Sequence, residues 1–130
     1  MATKQRKVVA IIDDDPATRE ALRAALKASG FDAELYGSAE DLMAALPRSR
    51  AVALVLDIQL GDLSGIELSR QLSADGVKVP TVFLTDSKDQ TVRRQAIEQG
   101  CVACLEKPAT SRQLVEAVAM ATGSDPVFEH

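Results

Sequence analysis

The sequence predicts an α/β domain in which five strands and five helices alternate, (βα)₅, with one parallel sheet enclosed between two layers of helices. Three observations support this fold class. Short, almost purely apolar runs alternate along the chain with longer segments whose apolar residues recur at helical spacing. The runs are rich in Val, Leu and Ile, which is typical of strands covered on both faces. The chain has 130 residues, of which 46% are hydrophobic and 26% charged, so it is long enough to form one domain with its own core.

Five short apolar runs are the predicted strands. The first and third are the clearest, because each is a series of consecutive apolar residues that ends at an aspartate. The second begins directly after a Ser-Gly pair, and a proline precedes the fourth. The strands are predicted at residues 8–12, 31–36, 51–56, 82–84 and 102–105.

Start and stop signals predict a helix after each strand. The first helix is the plainest: Asp15 suits the N-cap, Pro16 suits the first helical position, and Ser29-Gly30 ends the helix. The second and third begin with residue patterns of the capping-box kind, with an aspartate in place of the usual Glu or Gln in the second. The later helices are predicted to begin at Ser38, Ser64, Ser87 and Thr110, and to end near Pro47, Gly76, Gly100 and Gly123.

Four of the predicted strands end in polar side chains that are suited to phosphate chemistry. The first strand is followed by Asp13 and Asp14, the third by Asp57, the fourth by Thr85, and the fifth leads through a glutamate to Lys107. The carboxyl ends of parallel strands face a common crevice, so these side chains should lie together. Clustered carboxylates attract a divalent cation, while a hydroxyl and an ammonium suit an oxyanion. The pattern therefore predicts a site for Mg²⁺ and a phosphoryl group.

Composition and charge exclude several other classes of protein. The formal net charge is −4, which argues against direct nucleic-acid binding because phosphate contacts need a basic face. The polar start, residues 1–7, is too short for a signal peptide, and we see no apolar run of membrane-spanning length. We therefore expect no membrane association and a cytoplasmic location. The one histidine, His130, is terminal, which excludes a His-dependent catalytic triad and a phosphorylated histidine in a folded site.

Cys101 and Cys104 have the spacing C-x-x-C, but their place in the chain disfavours redox or zinc chemistry. Redox-active pairs usually open a helix, whereas this pair falls where a strand is expected, and strand positions three apart point to opposite faces. A zinc site would need a second pair of ligands. We interpret the two cysteines as small, buried apolar residues.

These residues, in this order, resemble the receiver domain of bacterial two-component response regulators. The resemblance covers about residues 7–122, and the segment around 36–40 looks most like receivers of the nitrogen-fixation regulator group. It implies a flavodoxin-like three-layer sandwich with strand order 2-1-3-4-5, a receiver domain over residues 1–123, and a flexible C-terminal tail over 124–130. The matching segments are residues 12–16, Leu56-Asp57 with Ser64-Gly65, Leu84-Thr85, and Glu106-Lys107-Pro108.

The resemblance implies a role for each acid. Asp57 would be the phosphoacceptor, which takes a phosphoryl group from a phosphohistidine on a histidine kinase or a histidine phosphotransfer protein. Asp14 would ligate Mg²⁺ directly, and Asp13 would act largely through water. Asp57 and the backbone carbonyl of Gln59 would complete the protein's share of the metal ligands.

The resemblance also implies a conformational switch. Thr85 would move inward to hydrogen-bond the phosphoryl group, and Lys107 would balance its charge. The bond between Lys107 and Pro108 is a candidate for a cis peptide. The surface formed by helix 4, strand 5 and helix 5 would carry the change to partners, with a homodimer as one possible product. Such a protein is not an enzyme in the ordinary sense, although it catalyses its own phosphorylation and dephosphorylation.

Three positions depart from the pattern of the family. Gly61 stands where a proline is usual, which predicts a more flexible loop. Asp86 replaces a small residue directly after Thr85, where it could crowd and repel an incoming phosphodonor or turn outward to cap helix 4; we favour the cap. Cys104 replaces the aromatic residue that usually follows Thr85 inward, so signal transmission could differ, and a thiol-sensitive output is conceivable.

Less specific interpretations compete for the same residues. Asp13, Asp14 and Asp15 could serve only the N-terminus of the first helix, although a cap explains Asp15 better than three acids. Lys107 could be an ordinary surface lysine and Thr85 a strand-end hydroxyl. Both residues are interpreted as functional only because they occur at strand ends together with Asp57.

Two other functions remain open on the sequence alone. A receiver-like module could dock partners without taking phosphate, and Asp86 with Cys104 keeps that possibility alive. A Mg²⁺-dependent phosphohydrolase that forms an aspartyl-phosphate is disfavoured, because such enzymes have a second acid two residues after the nucleophile, where this chain has Gln59. The chain also lacks the P-loop of nucleotide hydrolases.

Overall fold

The computed structural model describes residues 6–124, so most of the tail predicted over 124–130, and His130 with it, lies outside the described residues. Five strands form one parallel sheet, and five helices alternate with them. The strands are β1 (Lys7–Ile12), β2 (Phe31–Tyr36), β3 (Ala51–Asp57), β4 (Thr81–Thr85) and β5 (Ala103–Glu106). The helices are α1 (Pro16–Ala28), α2 (Ala39–Ala45, followed by a 3-10 turn at Leu46–Arg48), α3 (Gly65–Ala74), α4 (Gln90–Glu98) and α5 (Ser111–Thr122).

The strand order is β2-β1-β3-β4-β5, as predicted. All neighbouring pairs in this sheet are parallel, and their register aligns the ends of the strands. The residues directly before Asp13 and Asp57 stand side by side, Asp57 aligns with Leu84, and Thr85 aligns with Glu106. The polar residues that follow the apolar runs are therefore brought to one edge of the sheet. After β3 the chain makes a small antiparallel ladder between Gln59–Leu60 and Leu63–Ser64.

Two apolar clusters, one on each face of the sheet, make this a three-layer structure. Alternate residues of β1 belong to different clusters, because successive side chains of a strand point to opposite faces. One cluster joins the sheet to α1 and α5, and the other joins it to α2, α3 and α4. Phe83, in β4, is the largest side chain that is completely buried. The burial of both faces explains why the strands are continuous apolar runs.

The helix starts follow the predictions at α1 and α5, whereas at α2 and α3 the predicted serine caps the helix without the reciprocal bond of a capping box. Asp15 caps α1, Ser38 caps α2, and Thr110 makes the full reciprocal capping box of α5. Ser64 does cap α3, but its hydroxyl accepts a hydrogen bond from the backbone N–H of Ile66 rather than from the position that a capping box uses. The capping box predicted at α3 is therefore only a simple cap.

The residue predicted to cap α4, Ser87, is wrong by two residues. The helix begins at Gln90, and the Asp89 carboxylate caps it by accepting a hydrogen bond of 2.8 Å from the backbone N–H of Thr91. Ser87 instead closes a local turn, in which its hydroxyl accepts from the N–H of Asp89. Because Asp89 holds the cap position, the cap that we favoured for Asp86 is also wrong.

The prediction that Cys101 and Cys104 point to opposite faces fails as well. β5 begins at Ala103, so Cys101 precedes the strand and does not follow its alternation. Both cysteines pack against the cluster beneath α2, α3 and α4, where Cys104 is buried and Cys101 half-buried. Within residues 6–124, no helix is long and apolar enough to cross a membrane.

Candidate functional site

Three carboxylates form an acidic cluster at the carboxyl edge of the sheet. Asp13 follows β1 and Asp57 ends β3. Both residues are buried, with exposed fractions of 1% and 3%, while Asp14 is open to solvent. One oxygen from each of the three residues lies within 4.8 Å of the others. The sequence predicted this cluster, and the register of the sheet assembles it.

The ammonium of Lys107 lies between the two buried carboxylates. Its Nζ is 2.9 Å from Oδ2 of Asp13 and 2.8 Å from Oδ2 of Asp57. The lysine follows β5, and its backbone N–H donates to the carbonyl of Thr85, which keeps the end of β5 beside the end of β4. Its side chain is 16% exposed. Lys107 is therefore an interior lysine that shares its charge between two acids, not a surface residue.

Burial and pairing shift the pKa of Asp57 and that of Lys107. Burial raises the pKa of Asp57 above its ordinary value, and the hydrogen bond from Lys107 offsets only part of that effect. The same burial lowers the pKa of Lys107, but its two carboxylate partners more than compensate, so that pKa is raised. Two buried carboxylates share one ammonium. This explains why the lysine stays charged, and why its single positive charge does not balance the charge of both acids.

Main-chain N–H groups hold the remaining oxygen of each buried acid. Asp57 Oδ1 accepts from the N–H of Gln59 at 2.9 Å, and Asp13 Oδ1 accepts from the N–H of Asp15 at 2.9 Å. Arg19, from α1, also donates to the carbonyl of Asp13 at 2.6 Å. We did not predict the contact of Arg19, because the sequence shows only an arginine one turn into a helix.

Thr85 is buried at the end of β4, with 2% exposure. Its hydroxyl oxygen accepts from the backbone N–H of Ser87 at 3.0 Å and from the carboxamide of Gln59 at 3.2 Å. The carboxamide oxygen of Gln59 in turn accepts from the N–H of Asp86 at 3.4 Å. These two contacts of the Gln59 side chain were not predicted, since the metal role expected of this residue involves only its backbone carbonyl.

Two glycines shape the loop after Asp57. Gly65 passes so close to the end of β3 that a Cβ at this position would stand 2.2 Å from the carbonyl oxygen of Asp57. Its N–H donates to the carbonyl of Ile58 at 2.7 Å, which fixes the start of α3 against the phosphoacceptor strand. Gly61 has a φ of +58°, a backbone conformation that residues other than glycine rarely adopt. The tight turn, and not only flexibility, accounts for a glycine at that position.

Comparison with known proteins identifies the family. A family model described as the response regulator receiver domain matches residues 9–119. The chain belongs to that family. It is therefore a receiver of two-component signalling, and the fold and strand order predicted from the resemblance are those of the structure.

The relatives of this receiver include a transcriptional regulatory protein and a response regulator. It is 32% identical over 114 residues to the transcriptional regulatory protein FixJ of Rhizobium meliloti strain 1021, covering 88% of this chain and 56% of that protein. It is 32% identical over 111 residues to the response regulator TodT of Pseudomonas putida, covering 85% of this chain and 49% of that protein. The chain thus spans about half the length of the curated relatives it matches.

Solved structures give the same assignment. The crystal structure of FixJ-N is similar with a TM-score of 0.83 at 30% identity, covering 96% of this chain and all of that one (100%). A response regulator receiver protein from Burkholderia phymatum is similar with a TM-score of 0.84 at 30% identity, covering 95% of this chain and 100% of that one.

The acidic cluster of this receiver fits Mg²⁺. Receivers bind this ion at an acidic pocket, and Asp13, Asp14 and Asp57 could hold one here. All three offer hard oxygen donors, which Mg²⁺ prefers. The exposure of Asp14 leaves one side of the cluster open to solvent, and Mg²⁺ in proteins usually keeps several water ligands.

A groove open to solvent lies beside Lys107. It has a volume of about 470 Å³ and lies between α1 and the start of α5. Asp86 lines it together with Lys107 and Pro108, and the peptide bond between the last two is cis, as predicted. Asp86 is exposed there, and because Asp89 caps α4, an effect of Asp86 on phosphodonor entry stays a prediction.

Cys104 leaves open space on the face formed by α4, β5 and α5. A second cavity, of about 530 Å³, is lined by Cys104, Lys88 and Arg93 among others. Burial raises the pKa of both Cys104 and Cys101, which keeps the thiols protonated and unreactive. This environment supports the interpretation of the two cysteines as packing residues and weakens the idea of a thiol-sensitive output.

Proposed function

We propose that this receiver is a phosphorylation-controlled signalling switch in which Asp57 accepts a phosphoryl group from a phosphohistidine of a partner protein. The partner is a histidine kinase or a histidine phosphotransfer protein. Phosphorylation of Asp57 then changes the surface that the domain presents to other proteins. The domain is not a classical enzyme, although its own residues promote both phosphorylation and dephosphorylation.

One observation carries the proposal: the Lys107 ammonium is shared by two buried carboxylates at the sheet edge where Thr85 also ends its strand. A carboxylate nucleophile, a fixed cation and a hydroxyl donor are the groups that phosphoryl transfer to an acid needs. A cluster with only a structural role would not require an excess of buried negative charge. A site that awaits a cation and a phosphoryl group does.

The chemistry follows from the contacts. A carboxylate oxygen of Asp57 forms the new P–O bond as the P–N bond of a ring-protonated phosphohistidine breaks, and the histidine leaves as neutral imidazole. Burial makes the Asp57 carboxylate more basic, as its raised pKa indicates, and a more basic carboxylate is a stronger nucleophile. The Lys107 ammonium, already beside this carboxylate, is in reach of the phosphoryl oxygens. Thr85 would donate its hydroxyl proton to another of those oxygens.

Asp13, Asp14, Asp57 and the backbone carbonyl of Gln59 are the proposed holders of Mg²⁺. When bound, the ion would balance the charge of the carboxylates and of the phosphoryl oxygens. Asp13 would act largely through water, as the resemblance to receivers implies. The exposed Asp14 is free to ligate the ion directly.

The partner surfaces and location stay proposals. We infer that the face of α4, β5 and α5 carries the output and could form a homodimer. Direct nucleic-acid binding by this domain is not part of the proposal, because its formal net charge is −4. A cytoplasmic location and the division into a domain over 1–123 and a tail remain predictions from the sequence.

Two alternatives are less well supported. A docking module that never takes phosphate would have no use for a buried, charge-unbalanced acid beside Lys107. A phosphohydrolase would need an acid two residues after Asp57, and this position holds Gln59, whose carboxamide is occupied with Thr85 and Asp86. A docking role alone also does not explain why Lys107 lies between two buried carboxylates.

Intact-mass measurement after incubation with a small phosphodonor and Mg²⁺ tests the proposal. We expect one added phosphoryl mass in the wild type, and none in Asp57→Ala or when Mg²⁺ is removed with a chelator. Asp62→Ala is a matched control, because Asp62 is an exposed acid in the loop after Asp57, and it should be phosphorylated like the wild type. A folded wild-type protein that takes neither phosphate nor beryllofluoride would favour the docking module.

A further inference from the structure

The side chain of Gln59 ties the loop after the phosphoacceptor to the loop after β4. Its Nε2 donates to the Thr85 hydroxyl at 3.2 Å, and its Oε1 accepts from the N–H of Asp86 at 3.4 Å. We propose that this carboxamide is a positioning group, which holds Thr85 and the β4–α4 loop in the unphosphorylated arrangement and must release them when Asp57 is phosphorylated. The inference rests on the proposed function, since it concerns the switch that phosphorylation operates.

The hydrogen bonds of Thr85 indicate which contact its movement would break. A hydroxyl oxygen has two lone pairs, and here both are used, by the N–H of Ser87 and by the carboxamide of Gln59. To bind a phosphoryl group on Asp57, the hydroxyl must turn to donate its proton toward that group. The bond from Ser87 is local and moves with the loop. The bond from Gln59 comes from a different loop, the one after β3, so it does not move with Thr85, and we expect inward movement of Thr85 to break it.

Gln59 is also fixed to the phosphoacceptor itself. Its backbone N–H donates to Oδ1 of Asp57 at 2.9 Å, while its side chain reaches the next loop. One residue therefore connects the carboxylate that is modified with the hydroxyl that must respond. A phosphoryl group or its mimic favours the phosphorylated arrangement of the loops, whereas the carboxamide bonds exist only in the unphosphorylated arrangement. These bonds should therefore weaken binding of the phosphoryl group or its mimic.

The expected effect is moderate because Gln59 is exposed and water competes for its carboxamide. Loss of one or two such hydrogen bonds corresponds to roughly a three- to tenfold change in an equilibrium constant. Gln59→Met is the sharpest variant, since methionine has a similar length and cannot make either bond. Gln71→Met is the matched control, because Gln71 is an exposed glutamine on α3.

The experiment measures binding of beryllofluoride, a phosphoryl mimic, in the presence of Mg²⁺. This equilibrium does not include hydrolysis, so a change in phosphoryl lifetime cannot imitate the result. We expect Gln59→Met to bind beryllofluoride roughly three- to tenfold more tightly than the wild type, and Gln71→Met to bind like the wild type. The backbone amide signals of Thr85, Asp86 and Ser87 in free Gln59→Met should also shift toward their beryllofluoride-bound positions.

Unchanged or weaker binding by Gln59→Met would overturn the inference while leaving the proposed function intact. A wild type that binds no beryllofluoride and takes no phosphate would overturn both. The side-chain NH₂ signals of Gln59 in the wild type provide a test that needs no variant. They should shift on addition of beryllofluoride, and a carboxamide that keeps its signals would contradict the release.

Discussion

Replacement of Gly65 by alanine is expected to destabilise the domain and to impair phosphorylation of Asp57. An added Cβ would stand 2.2 Å from the carbonyl oxygen of Asp57 and 3.0 Å from the Cα of Ile58. Both atoms belong to the main chain, so no side chain can rotate to make room. The start of α3 and the end of β3 must separate, and the phosphoacceptor moves with them.

The magnitude follows from the size of the overlap. The new Cβ would lie about 1.2 Å inside the 3.4 Å at which ordinary van der Waals contact begins. Overpacking of this kind typically costs about 1–3 kcal/mol. Alanine returns at most about 1 kcal/mol through its better helix propensity. Because main-chain atoms must move, the cost should lie in the upper part of that range, so the net loss in free energy of unfolding should be about 1–2 kcal/mol. This corresponds to a fall in Tm of roughly 3–8 °C for a domain of this size.

Thermal and urea unfolding followed by circular dichroism would measure the loss, and intact mass would follow phosphorylation. Ser73→Ala is the control, because it introduces the same residue at an exposed position of the same helix. It should leave stability within about 0.5 kcal/mol of the wild type. If Gly65→Ala proved as stable as Ser73→Ala and was phosphorylated at the same rate, the steric argument would be refuted.

Three further predictions concern side chains outside the metal cluster. Burial, aided by the hydrogen bond to Glu34, raises the pKa of Tyr36 to about 12. Because Tyr36 is the single tyrosine of a chain without tryptophan, absorbance at the tyrosinate band after a rapid pH jump should report that pKa directly. Glu34→Gln should bring the midpoint of this titration back toward 10.0. The raised pKa favours the protonated phenol in the folded state. The contribution of Tyr36 to the free energy of unfolding is therefore complete below pH 10 and is lost as the pH rises toward 12. Tyr36→Phe should not show this loss. Asp89→Ala removes the cap of α4 and should lower the free energy of unfolding by about 1 kcal/mol in urea titrations, whereas equal losses from Asp89→Ala and Asp86→Ala would show that the cap is misassigned. Asp86→Ala removes a negative charge from the groove beside Lys107. It should raise the rate of phosphorylation by an anionic phosphodonor about two- to fivefold at low salt, with a smaller gain at high salt. No change in rate would exclude Asp86 as an electrostatic barrier.

The fold could be predicted from the sequence because its signals are local. Apolar runs, caps and breakers lie next to each other in the chain, and alternation of strand and helix restricts the topology. The errors also arose locally. At α4 both Ser87 and Asp89 are good N-cap residues, and the choice between them depends on how Ser87 closes a turn with the loop that leaves β4.

The candidate site could be predicted only in part. Asp13, Asp57 and Lys107 were identified because each ends or follows an apolar run, and parallel register then brings such residues together. The side chain of Gln59 and the constraint on Gly65 were not identified. Both depend on the approach of segments that are distant in sequence, which no local pattern encodes.

Chemical location of the phosphoryl group tests the central claim most directly. Borohydride reduces an aspartyl-phosphate to homoserine, and peptide mass then identifies the modified residue. After incubation with a small phosphodonor and Mg²⁺, we predict that homoserine replaces Asp57 and no other residue. Modification at Asp13 or Asp14, or a folded protein with no modified aspartate at all, would contradict the assignment of Asp57 as the phosphoacceptor.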